Sequence, residues 1–505
     1  MTAAFYLGTT WGGEEYKMAV MEGIARESHD LHRRLRLRHL IMLSVGGTIA
    51  SGFFLFIGQA IGIAGPAVVI TFAIVGIVSL AVMACLAELS VNSPVAAVAG
   101  SFAIYARDTL GTLGGFLTGW NYWLAWVMGA ATESVAAGTY FHTFRPEIPI
   151  WIVAGIIVAI EMVVNLVGVL FMGEYEFALS MIKTVMLALF VLVGLAAILG
   201  IGFHATGVSA YTAHGGFAPK GFGAVFAALF TVFFAYVGIE LVGIGAEETV
   251  HPERDVPRAL MWTAALVAAL FIVGSMVLMA IVPWTRAATT SISPFVDALN
   301  ALHVPVIATI FNWVVIIASL SSVDGGLYTA SRMLFALARE GYFPATLART
   351  QAQRKVPTLA ILITSLCIFV GAVLAFFNPG NAYVFVASLS AFGFLYAWLM
   401  IPIAQVLYRR RRGESYVRAL RWRVPLYPLT PLVAIVAVLV AFGGQFFFGS
   451  GTSIGPITIP GSGLTVVVGI VWTIVWALYY LAIGRNFTHG EAWRAGQDRP
   501  APAVE

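Results

Sequence analysis

Charge is what this sequence has least of. Only 10% of its 505 residues are Asp, Glu, Lys or Arg, while 60% are hydrophobic. A water-soluble domain carries roughly a quarter of its residues as charges, so an ordinary soluble enzyme, a disordered chain and a nucleic-acid-binding module are all excluded. Cysteine is nearly absent too. Cys85 and Cys367 both fall inside apolar runs, where small buried thiols are expected and no disulfide framework is implied. Also missing are a phosphate-binding glycine loop, an HExxH zinc motif and a CxxC pair, and the nine histidines are scattered. No cofactor and no metal is therefore expected. The carboxylates are too dispersed to converge as an acid/base set, which argues against a membrane-embedded enzyme. Loops of about 20–25 residues leave no room for a nucleotide-binding domain, so energy has to come from an ion gradient or from exchange.

Long apolar runs fill the chain instead. Twelve can be read directly, numbered here as spans 1 to 12: 40–63, 66–91, 115–141, 150–171, 177–201, 222–245, 260–283, 305–330, 356–377, 382–408, 429–448 and 464–484. Each reaches the ~20 residues an α-helix needs to cross the hydrocarbon layer. The ~10-residue alternating strands of a membrane β-barrel are absent. The expected fold is an all-α polytopic membrane protein with twelve transmembrane helices. Residues 1–39 hold no apolar core of signal-peptide type, so span 1 is expected to be retained as an anchor. Residues 1–17 show no structural pattern, which leaves Met18 or Met21 as alternative starts.

The basic residues orient the bundle. With the N-terminus in the cytoplasm, 24 of the 28 Lys and Arg fall on that side and three (Arg145, Lys220, Arg286) on the other, with Lys183 inside span 5. The positive-inside rule then puts both termini in the cytoplasm, in the inner (plasma) membrane. The run 409–412 reads as an interfacial anchor able to attract anionic lipid rather than nucleic acid.

Two spans contain breaks. A helix in lipid must satisfy its own backbone, so a mid-span glycine cluster is tolerated only where it faces protein or a water-filled cavity. Span 1 carries Gly46, Gly47, Thr48, Ile49, Ala50, Ser51 and Gly52 in succession. Span 6 carries Phe233, Phe234, Ala235, Tyr236, Val237, Gly238, Ile239 and Glu240, followed by Gly243 and Gly245. Matching interruptions in two halves of a chain point to a transporter substrate site. Freed N–H groups at a half-helix N-terminus can hold a carboxylate, and freed carbonyls an ammonium, a geometry that suits an amino acid. The alternative is that the glycines only let helices pack closely.

The stretch LRLRHLIMLSVGGTIASG (35–52) resembles the opening signature of bacterial amino-acid permeases, the amino acid transporter family of the amino acid/polyamine/organocation superfamily. The likeness continues through GFLTGWNYWLAW (115–126), GEYEFALSMIK (173–183), FFAYVGIELVGIGAEETVHPERDVPRA (233–259) and SSVDGGLYTASRMLFALAREGYFP (321–344), and covers roughly 35–485. It implies a five-plus-five inverted-repeat core of the leucine-transporter type, working by alternating access. The implied units are a tail (1–39), a first repeat (40–201), a second repeat (222–408), two added helices (429–484) and a second tail (485–505). Two departures stand out: Ala50-Ser51-Gly52 where the family usually has Gly-Thr-Gly, and Asp324 where Asn is common.

Ionisable groups at membrane depth cost about 3 kcal/mol each on insertion scales and are functional candidates by default. Here they are Glu88, Glu133, Glu161, Lys183, Glu240 and Asp324. Lys183 is the one cation in any span away from an end. The resemblance implies that it carries a coupling proton; otherwise it is a permanent ammonium bonded to helix-end carbonyls of spans 1 and 8. Glu133 either faces the pocket or is a buried acid bonded across helices, and Trp120, Trp123 and Trp126 before it form an aromatic packing stripe. Glu240 can accept from N–H groups freed at the break, bracing it. Glu88 is expected to be interfacial, and Glu161 to serve a helix–helix hydrogen bond. Ser319, Ser321 and Ser322 offer hydroxyls near the lysine. The expected substrate-binding set is thus 46–52 with Tyr122, Trp126, Phe234, Ala235, Tyr236, Gly238 and Glu240, and the proton-coupling set Lys183, Glu133, Ser321 and Ser322. The expected partners are an amino acid, protons and the bilayer. The expected activity is uptake of a neutral L-amino acid by proton symport, with a cationic amino acid or γ-aminobutyrate as alternative substrate, exchange as alternative mode, and a non-transporting sensor as the competing class.

Overall fold

The computed structural model describes residues 33–92, 101–289, 293–351, 353–377, 381–448, 452–454, 457–459 and 463–482. Nearly all of the two tails, with Met18 and Met21, lies outside these residues.

All twelve apolar runs are helical. Spans 2 to 5 are the helices Val68–Asn92, Thr112–His142, Ile150–Val167 and Val169–Leu199. Spans 7 to 12 are Pro252–Ile281, Pro305–Arg339, Thr358–Phe377, Asn381–Ala419, Leu429–Phe448 and Gly463–Ala482. Spans 1 and 6 are built in pieces. Among the described residues, seven helical stretches are long and apolar enough to cross a membrane on composition alone, eight if the bent pair of span 6 is counted. Span 3 falls outside that set because it is rich in Trp, Tyr and Gly, and it can be so because it lies almost wholly inside the protein. Leu, Ile and Val on spans 4, 5, 11 and 12, such as Val163, Leu192, Leu439 and Ile470, are exposed where lipid would meet them.

Span 2 lies along span 7, span 3 along span 8, and span 4 along span 9. Those are the counterparts in two five-helix repeats, so the core is a five-plus-five inverted repeat with two further helices added. Span 11 packs on spans 2 and 10, and span 12 on spans 3 and 10. The tryptophan stripe is packing, as expected: Trp120 and Trp123 stack at 4.5 Å and Trp120 continues onto Trp476 of span 12 at 4.6 Å. Beyond the spans, the described residues include a two-stranded hairpin, Thr452–Ile454 with Ile457–Ile459.

Three expectations are corrected. Span 5 begins at Val169 rather than 177, directly after Gly168, so Glu174, Tyr175 and Glu176 are part of the membrane helix. Span 8 continues to Arg339, which turns Arg332 from a loop cation into a fully buried one, 1% exposed. Glu88 is buried instead of interfacial: its carboxylate accepts from Arg409 Nε at 2.7 Å, Gln405 Nε2 at 2.8 Å and the Val424 amide at 2.6 Å. Arg409 is therefore a folded-in ion pair and not a free lipid anchor.

On the face that collects the basic residues, Arg332 pairs with Glu248 at 3.3 Å and Arg339 with Glu247 at 2.9 Å, and Arg107 pairs with Glu340. The segment entering span 1 is stitched to the one leaving span 6. The Arg34 and Leu35 amides donate to the Glu248 carbonyl and the Val250 amide to the Leu35 carbonyl, all at 2.9 Å.

Candidate functional site

The span 1 helix Leu37–Thr48 stops where Ile49 (ψ 91°) and Ala50 (φ −148°) become extended, and a new helix starts at Ser51. In span 6 the helix Leu229–Tyr236 stops at Val237. Gly238 then takes φ +105°, a conformation that favours glycine, and a 3₁₀ turn Ile239–Ala246 leaves at a bend of 41°. The two breaks touch. A Cβ on Gly238 would lie 2.8 Å from the Gly47 carbonyl carbon, and one on Gly52 would lie 3.1 Å from the Phe234 carbonyl oxygen. Close approach and a freed backbone both apply here, so the two readings of the glycines are complementary.

Several of the freed polar groups have side-chain partners. The Ser51 amide and hydroxyl, at the N-terminus of the second half of span 1, donate to the Glu133 carboxylate at 3.1 and 2.7 Å. At the C-terminal end of the first half, Lys183 Nζ donates to the Gly46 carbonyl at 2.5 Å and reaches Ala318 O of span 8 at 3.5 Å. Ser322 Oγ donates to the Gly47 carbonyl at 3.3 Å, and Ser44 Oγ to the Ile239 carbonyl at 2.9 Å. Thr48 Oγ1 bonds its own helix at Ser44 O. This single break therefore holds a carboxylate at its N–H end and an ammonium at its carbonyl end, matching the helix-end charges of each half.

Glu240 is fully engaged. It accepts from Trp398 Nε1 at 2.8 Å, Tyr122 OH at 2.9 Å and the Gly238 amide at 3.1 Å, which is the bracing arrangement. Trp126 sits against the crossing, its ring 3.0 Å from where a Gly47 Cβ would be and packed edge-on against Phe394 at 5.0 Å. Phe234 packs on Phe56 beside it. Ala235 backs onto Gly52. Tyr236 is not brought to the crossing: its hydroxyl donates to the Phe72 carbonyl of span 2 and its ring meets Phe271 of span 7. Ser321 donates to Glu176 Oε1 at 2.5 Å.

Glu176 lies one residue before the apolar run of span 5, which is why the sequence alone does not single it out. A signal is present all the same, since Glu176 stands two helical turns before Lys183 on the same face of the GEYEFALSMIK motif. With its hydrogen-bonding oxygen lodged against Gly46, it leaves no space there for a side chain. Asp324 is fully buried and accepts from Asn165 Nδ2 at 2.6 Å, and Glu161 accepts from Tyr175 OH at 3.0 Å, the interhelical bond expected of it.

The amino acid permease family profile matches residues 39–491. An uncharacterized amino acid permease, YtnA, of Bacillus subtilis (strain 168) is 34% identical over 94% of this chain and 99% of its own. The D-serine/D-alanine/glycine transporter of Escherichia coli (strain K12) is 32% identical over 81% of this chain and 87% of its own. The crystal structure of a point mutant of the Eremococcus coleocola manganese transporter superposes with a TM-score of 0.57 over 95% of this chain and 98% of that one, at 13% identity, a likeness of fold alone. From the helix order, the paired breaks and these matches together, the chain belongs to the amino acid permease family and is a membrane transporter, not an enzyme.

Proposed function

We propose that the protein imports a neutral L-amino acid by proton symport, with alternating access at the crossing of spans 1 and 6. The observation that carries this is the occupancy of the span 1 break by the protein's own charges, Glu133 on Ser51 and Lys183 on Gly46. A backbone that holds one carboxylate and one ammonium at opposite helix ends has the polarity to hold the same two groups on one amino acid. Side-chain selectivity then falls to neighbours. Both oxygens of Glu240 are engaged by donors of the protein itself, while Trp126, Phe234 and Phe394 supply apolar walls. A relative named for D-serine, D-alanine and glycine agrees with a neutral cargo.

The test is competition of all twenty amino acids and γ-aminobutyrate against labelled substrate in proteoliposomes. Competition confined to lysine, arginine and ornithine overturns the neutral reading. For coupling, Lys183→Met should abolish accumulation driven by a proton gradient while leaving binding or exchange. Undiminished accumulation in that variant would leave the lysine a structural ammonium.

We infer the topology from charge. The face bearing 24 of the 28 Lys and Arg is the cytoplasmic one, with both termini on it. A cysteine at Ser453 should react with an impermeant thiol reagent added to intact cells and one at Ser415 should not; the reverse pattern inverts the assignment. The same reading divides the chain into repeats at 40–201 and 222–408.

A further inference from the structure

Between Lys183 and the basic face, three carboxyls from three spans are packed together without access to water: Glu161 of span 4, Glu176 of span 5 and Asp324 of span 8, each 0% exposed. They are held by neutral donors only. Tyr175 OH bonds Glu161, Ser180 and Ser321 hydroxyls bond Glu176, and Asn165 Nδ2 bonds Asp324. One oxygen on each acid (Glu161 Oε2, Glu176 Oε2, Asp324 Oδ2) has no donor at all, and neither has the fully buried amide oxygen of Asn165 beside them.

The surrounding charges do not compensate three anions. Lys183 faces the group from span 5 and also faces Glu133 of span 3. Arg332, further along span 8, is already paired with Glu248 and stacked on Tyr328. His39 and Arg38 of span 1 both engage Glu174 at the surface. Three ionised, buried and mutually adjacent carboxylates would leave charge unpaired in a dry interior, the most expensive arrangement a fold can hold. Among the described residues no group of three or more Asp, Glu, His or Cys is arranged to hold a metal ion. The ligand that fits unpartnered oxygens on adjacent acids is the proton.

We propose that Glu161, Glu176 and Asp324 form a proton-binding site distinct from Lys183, holding at least one proton in the substrate-free protein. Its position gives it a second role, which rests on the symport reading above. Glu176 is two turns, ~10 Å along the axis, nearer the basic face than Lys183. A proton leaving the Lys183 ammonium breaks an N–H bond, leaves a neutral amine and forms an O–H bond on this cluster. From there it passes between carboxyls toward half-buried Tyr175 and water.

The test uses purified full-length protein and the isosteric variants Glu161→Gln, Glu176→Gln and Asp324→Asn. Infrared spectra in H₂O and D₂O report the carbonyl stretch of protonated carboxyls without any substrate. The expected result is a deuterium-sensitive carboxylic band in the wild type that weakens in at least Asp324→Asn or Glu176→Gln. Absence of the band from the wild type, or its persistence unchanged in all three variants, overturns the site. In proteoliposomes supplied with a labelled mixture of the twenty amino acids, Glu176→Gln and Asp324→Asn should lower gradient-driven accumulation at least about tenfold, the loss that one unit of proton affinity represents. Wild-type accumulation in both variants overturns the relay. If wild-type accumulation itself ignores the pH gradient, the symport reading fails, while the infrared band still decides the site.

Discussion

The two breaks solve the same problem in opposite ways. Span 6 satisfies the amide of its interruption from within, since Glu240, two residues beyond Gly238, turns back onto the Gly238 amide and is locked by Tyr122 and Trp398. Among the described residues only Ser44 of span 1 reaches its freed carbonyls from outside. Span 1 satisfies its interruption from outside, with Glu133 of span 3, Lys183 of span 5 and Ser322 of span 8 each reaching in to one backbone position. A local brace stays with its helix when neighbours shift, whereas a break held by three other spans changes whenever any of them moves. In the transport cycle proposed above, span 6 is thus the fixed wall of the candidate site and span 1 the adjustable one.

The comparison can be broken most severely at Gly238. Gly238→Val adds a side chain at a positive φ and within 3 Å of the Gly47 backbone, so little folded protein should survive detergent extraction, as size-exclusion profiles would report. Next comes Glu240→Ala, which strands three buried donors at about 1–3 kcal/mol each; a large fall in melting temperature is expected together with lost transport. Glu133→Gln sharpens the contrast. An amide still accepts from Ser51, so stability should change little, while substrate affinity and pH dependence of uptake change strongly. If Glu133→Gln unfolds the protein and Glu240→Ala does not, the assignment of fixed and adjustable walls is reversed. Gly47→Leu should lower affinity far more than Leu55→Ile, because only the former meets Trp126 and Leu241 at 3.0 Å. The smallest effect belongs to Ser322→Ala, which removes one 3.3 Å contact; about a twofold change in uptake is expected, the scale of a weak hydrogen bond.

The spans are legible in the sequence because each is a dense apolar run, and the two breaks because glycine is conspicuous inside such runs. The partners are not. Glu88 finds Arg409 321 residues away and Asp324 finds Asn165 159 residues away, separations over which no local pattern carries information. Boundaries are misread where charge enters a helix: Glu174 and Glu176 make the start of span 5 look like a loop, and Arg332 does the same for the end of span 8. Both misreadings hide residues that matter, because a membrane helix tolerates a charge only where the protein buries it with others. Glu240 is readable as a brace since its partner, the Gly238 amide, lies two residues away.

The backbone stitching of Arg34 and Leu35 to Glu248, and of Val250 to Leu35, has a mechanical reading. Two rods that are each jointed at mid-length are tied together at one end by main-chain bonds, which among substitutions only a proline takes away by removing the donating amide. On that face the two rods are coupled to each other and to span 8, whose Arg332 and Arg339 grip Glu248 and Glu247. In the alternating access proposed above, an opening toward the basic face has to release those arginines, and the knot at Leu35 couples the turning of the two joints.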